Sequence, residues 1–160
     1  MAKTEKLSYH NAEKYAYTLW SECEKETDSR LRLSNRMFGL VLMLGLESGA
    51  RISDLLKMKY SDIKEMKDRP NVFALNYYVT KSKAYHKWVI SAQLKGRIDI
   101  TREWLKLEYG YYGDYIFYNP KANKPFTREW ASKRVSVANK LGKMGEIVDV
   151  AGSHSLRKAA

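Results

Sequence analysis

The chain has 160 residues, 44% of them hydrophobic, which is enough for one domain with a core and excludes a disordered chain. The apolar segment from Phe38 to Leu46 is too short to cross a bilayer and is interrupted by Gly39 and Gly45, Met1–Lys6 lacks a signal-peptide stretch, and the single Cys23 rules out an internal disulfide or a cysteine metal pair, so a cytoplasmic protein without metal is expected. With 29 Lys+Arg against 18 Asp+Glu the net charge is +11, which suits a polyanionic partner but equally fits a basic, soluble surface.

Ser8 can cap a first helix, in which Ala12, Tyr15, Ala16, Leu19, Trp20 and Cys23 recur at helical spacing. Glu13, Lys14, Glu22, Glu24 and Lys25 occupy its other side, so one stripe is expected to be buried. A second helix is predicted from about Asp28 to Glu47, with Leu33, Met37, Leu40, Val41 and Leu44 inward, broken by Ser48-Gly49-Ala50. A short helix begins near Ser53, with Ile52, Leu55 and Leu56 inward. The period then changes. Asn71–Thr80 and Lys87–Ser91 are rich in β-branched and aromatic residues and flank the polar run Lys81–His86, a hairpin pattern. Met58–Ile63 is a candidate third strand. Helix is expected again over Ala92–Glu108, then a loop at Gly110–Gly113 and a short apolar piece at Tyr115–Tyr118. A last helix follows a Thr127 cap. On it Arg128, Ser132, Ser136 and Lys140 form a polar, cationic face, with Trp130, Val137 and Leu141 packed behind and Gly142 and Gly145 at its end. No repeat or linker is visible, so the expected architecture is α+β, mainly helical around a small antiparallel sheet, in one domain spanning 1–160.

The charge is uneven. Residues 1–30 carry 5 basic and 6 acidic groups, and residues 31–160 carry 24 basic and 12 acidic groups. Three segments within the basic part have the residue types that phosphate chemistry needs. Arg51 directly follows the Ser48-Gly49-Ala50 break at the start of a short helix, where free N–H groups favour anions and a guanidinium can fork onto a phosphate. Asp54 is placed to orient it. Lys81, with Lys83 as the second choice, sits on a hairpin turn from which an ammonium can donate a proton to a leaving oxygen. His154 and Arg157 lie three apart behind Ser153, a possible helix cap, and so share one face. Each segment alone is equally compatible with a solvated basic surface.

Their order carries more. Gly49-Ala-Arg51-Ile-Ser-Asp54-Leu, then a Lys on a hairpin turn, then His154-Ser-Leu-Arg157 resembles the tyrosine recombinase, or phage integrase-like, family of site-specific DNA recombinases. The element order is similar over about residues 7 to 160. The resemblance implies that Arg51 and Arg157 clamp the scissile phosphate, that His154 supports proton transfer and that Lys81 is the general acid for the departing 5′-oxygen. Asp54 would buttress the first arginine, and Arg128 and Lys140 are candidates for contacts to the DNA backbone. No cofactor is implied. The partners implied are double-stranded DNA and other recombinase protomers on it, with no membrane. The family's nucleophilic tyrosine follows the second arginine by a few tens of residues, whereas all 12 tyrosines here precede His154. The family's N-terminal DNA-gripping domain is likewise not found. The expectation is therefore a catalytic domain cut before its tyrosine segment, inactive alone and monomeric. The alternatives are a non-enzymatic DNA-binding module derived from a recombinase, a type IB topoisomerase relative, and, more remotely, a basic RNA-binding or protein-interaction domain.

Overall fold

The computed structural model describes residues 9–140. The expectations for Ser8, Leu141, Gly142, Gly145, Ser153, His154 and Arg157 lie outside the described residues. In chain order the helices are α1 (Tyr9–Cys23), α2 (Ser29–Ser48), α3 (Ile52–Leu55), α4 (Ala92–Tyr109) and α5 (Arg128–Lys140); the strands are β1 (Ile63–Met66), β2 (Arg69–Val79), β3 (Ala84–Ile90), β4 (Tyr118–Asn119) and β5 (Lys124–Pro125). This is the expected α+β composition. The described residues form two compact units, one up to Ile52 and again from Thr127, the other Ser53–Phe126. No helix among the described residues is long and apolar enough to cross a membrane.

In the first unit α1 packs on α2. The Asp28 side chain starts α2 by accepting from the N–H groups of Arg30 (2.9 Å) and Leu31 (3.3 Å). Gly49, at φ 68°, ends it in the left-handed region and donates its N–H to the Gly45 carbonyl. The predicted inner face of α2 is buried, but so is every residue from Arg36 to Leu46, so this helix is enclosed on all sides. Its contact with α1 is close at Gly39, where a Cβ would lie 2.5 Å from Trp20. Arg36 is buried, reaches Glu24 at 2.6 Å and lies over the Trp20 ring at 5.2 Å.

Thr127 caps α5 as expected, accepting from the Trp130 N–H at 3.2 Å. The inner stripe of α5 is Ala131, Val135 and Ala138, and Val137 is exposed, contrary to the expectation that it packs behind. Two residues along a helix turn about 200°, so Val137 cannot share a face with Val135. Polar groups fasten α5 to α2. Ser34 Oγ accepts from Trp130 Nε1 (3.2 Å) and from Arg134 (2.9 Å), whose other terminal nitrogen donates to Asn35 Oδ1 at 2.8 Å. The Arg134 guanidinium also lies 4.9 Å from the Phe38 ring centroid.

In the second unit β1, β2 and β3 form an antiparallel sheet in that order. Phe73↔Ile90, Leu75↔Trp88 and Tyr77↔His86 are opposed, with Ile63 opposite Leu75 on the other edge. Period-2 alternation puts this row on one face, and Tyr78↔Tyr85 and Asn76↔Lys87 on the other. Two expectations need correction. The third strand is Ile63–Met66, not Met58–Ile63; Tyr60–Asp62 form a 3-10 turn instead. That turn is held by a distant loop: the Tyr60 N–H donates to the Asp114 carbonyl at 2.8 Å, and the Ser61 N–H and hydroxyl donate to the Asp114 carboxylate. The hairpin turn is also shorter than the polar run, because Ala84, Tyr85 and His86 already pair in β3. Ser91 caps α4 by accepting from the Leu94 N–H at 3.2 Å, and Gly110 ends that helix at φ 64°. The two-residue pairing of β4 with β5 has no counterpart in the sequence reading.

Candidate active site

Arg51 is half-buried and stands two residues after the left-handed Gly49. The turn before it is fixed locally: Ser48 Oγ donates to the Leu44 carbonyl (2.6 Å) and accepts from the Ala50 N–H (3.1 Å). The expected help from a helix start is small, because α3 has only 4 residues and a single turn sums few peptide dipoles.

Asp54 is 2% exposed, and it has a partner that the sequence did not suggest. Its Oδ1 accepts two hydrogen bonds from Thr80, one from the hydroxyl at 2.6 Å and one from the backbone N–H at 3.3 Å. Among the described residues none reaches Oδ2. Thr80 opens the hairpin turn and directly precedes Lys81, so a buried carboxylate fixes the base of the loop that carries both candidate lysines. Ser82 Oγ donates to the Val79 carbonyl at 3.5 Å, and Lys83 closes the turn at φ 53°, in the left-handed region. Both lysines are exposed.

Next to this anchor, within the same unit, is a cleft of about 300 Å³. Its charged lining is Asp54, Asp62, Lys57 and Lys59. Its rings include Tyr78 and Tyr85, edge-to-face at 5.3 Å, and Tyr115, 5.2 Å from Lys59 Nζ. Tyr60, next in the chain to Lys59, is buried, and burial pushes its hydroxyl well above the ordinary tyrosine value; Tyr111 adds to the shift and Arg102, over the ring at 4.3 Å, opposes it.

Asp54 and Thr80, the residue before Lys81, are thus brought together in the second unit, and Arg51 belongs to the first. Arg128 is exposed on α5, which ends at Lys140. His154 and Arg157 lie outside the described residues. The sequence reading missed Thr80, although its place immediately before Lys81 was visible, and it missed the tyrosine cleft, whose members come from three separate segments. Among the described residues no group of three or more His, Cys, Asp or Glu side chains could hold a metal ion.

The sequence model of the phage integrase family matches residues 12–160. No curated protein matches the chain. Among solved structures, the XerH site-specific recombinase bound to difH substrate in a pre-cleavage complex is similar with a TM-score of 0.68 at 19% identity, covering 99% of this chain and 42% of that one. A lambda integrase tetramer bound to a Holliday junction gives a TM-score of 0.63 at 19% identity, covering 99% and 42%. The XerA recombinase gives 0.62 at 16% identity, covering 98% and 49%. The chain therefore spans less than half the length of each of these proteins. At such identities the likeness shows the fold.

Proposed function

From the premise that this chain belongs to the phage integrase family, the tyrosine recombinases, we propose that it forms part of the catalytic domain of a site-specific DNA recombinase or integrase and acts on double-stranded DNA. Arg51 and Arg157 bind the non-bridging oxygens of the scissile phosphate and stabilise the charge that builds on them in the transition state. A tyrosine of the complete protein, expected beyond Arg157, attacks phosphorus. The P–O5′ bond breaks, a 3′-phosphotyrosyl bond forms, and the Lys81 ammonium gives its proton to the departing 5′-oxygen. His154 supports the proton balance on the tyrosine side. Religation is the same sequence in reverse with a 5′-hydroxyl as nucleophile. Arg128 and Lys140 contribute backbone contacts, and other protomers complete the assembly on DNA.

The observation that carries this reading is the Asp54–Thr80 pair. It ties Asp54, three residues after Arg51 in the chain, to the loop of Lys81, two segments that sequence spacing alone cannot relate. A general acid needs a fixed position near its leaving group, and a buried carboxylate at the base of the loop supplies one.

The test uses the complete protein on duplex DNA. Arg51→Ala and Arg157→Ala are expected to abolish cleavage with folding intact, and undiminished cleavage in either overturns the assignment. Lys81→Ala is expected to be rescued when the 5′-bridging oxygen of the substrate is replaced by sulfur, a leaving group that needs no proton. Rescue of Lys83→Ala in its place would assign the acid to Lys83.

A further inference from the structure

The cleft beside the Lys81 turn has a composition that a phosphate site would not have. Its four charged side chains, Asp54, Asp62, Lys57 and Lys59, cancel, so the cleft has no net charge to draw an anion. A cationic side chain from a peptide would favour the rings but would meet Lys57 and Lys59. The remaining fit is a neutral, planar ring with hydrogen-bond donors on its edge. Tyr85, 74% exposed, and Tyr78, 45% exposed, offer ring faces at the mouth. Their planes meet edge-to-face at 63°, so a flat ring can stack on only one of them, and Tyr85 is the more exposed. Inside, Asp54 turns one oxygen to Thr80 and leaves the other for an incoming donor.

We infer that this cleft takes up a nucleobase unpaired from the DNA duplex, stacked on Tyr85 beside Tyr78 and donating from an exocyclic amino group to Asp54. The inference rests on the DNA-binding reading above and extends it from the phosphate backbone to a base. Stacking on tyrosine is tolerant of base identity, because every base has a π-face. The acceptor Asp54 selects among them: adenine, cytosine and guanine carry an exocyclic amine and thymine does not. The volume of about 300 Å³ lies at the lower end of small-ligand sites and suits one base.

The experiment measures binding of the protein to two fluorescent duplexes, identical except that one carries a single unpaired cytosine. The bulged duplex is expected to bind about tenfold more tightly, the usual scale of one base–aromatic stack. Tyr85→Ala should collapse that ratio towards one, Tyr85→Phe should keep it, and an unpaired thymine should give a smaller ratio than cytosine. Tyr85 is exposed, so its replacement spares the core. Equal affinities for the bulged and paired duplexes, with binding itself intact, overturn the inference alone. Failure to bind either duplex overturns the DNA-binding reading and the inference with it. Displacement of the bulged duplex by a trimethyl-lysine peptide, lost in Tyr85→Ala, would overturn it in favour of a cation cage.

Discussion

The Thr80 hydroxyl donates to the Asp54 carboxylate at 2.6 Å across 26 residues of chain. A bond to an ionised acceptor is stronger than a neutral one, and the acceptor here is buried while the donor is at the surface. Thr80→Val removes one of the two bonds and is expected to lower stability by about 1 kcal/mol. Asp54→Ala removes both and should cost about 2 kcal/mol or more, because the Thr80 N–H loses its partner as well. Denaturant midpoints measure both. The amides from Thr80 to Lys83 should exchange faster in each variant than in the wild type. Unaltered exchange there would mean that strand pairing alone fixes the turn.

Lys83 closes the same turn at φ 53°, a conformation that costs a residue with a side chain about 1 kcal/mol and glycine almost nothing. Lys83→Gly is therefore expected to stabilise the chain by a few tenths to about 1 kcal/mol, part of the gain being offset by the freer unfolded chain. Thermal melts of the two proteins decide the matter, and a lower melting temperature for the glycine variant would show that Lys83 makes a contact worth more than its backbone strain.

The helices were legible because their signals are local. Thr127 caps α5 as expected, Gly49 ends α2 at the expected break, and α2 and α4 begin within a residue of their predicted starts. The third strand was misplaced because Met58 and Tyr60 are spaced like alternating strand residues. Asp114, more than fifty residues away, bonds Tyr60 and Ser61 and holds the segment in a 3-10 turn. Val137 was misassigned because it is apolar, but α5 has a stripe of Ala131, Val135 and Ala138 that leaves it outside. In the site, the spacing of Arg51 and Lys81 could be read from the chain. The role of Asp54 could not, since its partner Thr80 becomes a neighbour only when the hairpin forms.

At Gly39 α1 and α2 pack closely. A Cβ placed there meets Trp20 Cδ1 and Nε1, both at 2.5 Å, inside the distance real Cβ atoms keep. Gly39→Ala would gain helix propensity on an exposed face, but here the indole has to move, and Arg36 lies over that ring. The expected outcome is a loss of about 1–3 kcal/mol, the usual range for overpacking a core. Tryptophan emission should shift in the folded state as Trp20 is displaced. A gain in stability would show that the two helices separate without loss.

Tyr60 is buried, and among the described residues its hydroxyl has no hydrogen-bond partner. Burial raises its pKa above the ordinary 10.0, with Tyr111 as the second cause. In the unfolded chain the phenol ionises near its ordinary value, and in the folded chain it holds its proton to higher pH. The contribution of Tyr60 is therefore fully present below about pH 10 and falls above it by about 1.4 kcal/mol per pH unit, until the folded group ionises too. Tyr60→Phe removes that dependence and also a buried hydroxyl without a partner. It should gain about 1 kcal/mol at neutral pH and show a shallower loss of stability above pH 10. Some alkaline slope should persist, because burial also raises the Tyr111 pKa. Denaturation midpoints from pH 7 to pH 11 test both halves. Equal slopes for the two proteins would mean that alkaline unfolding is governed by other groups, and a loss of stability at pH 7 would show that the hydroxyl has a partner, such as a bound water.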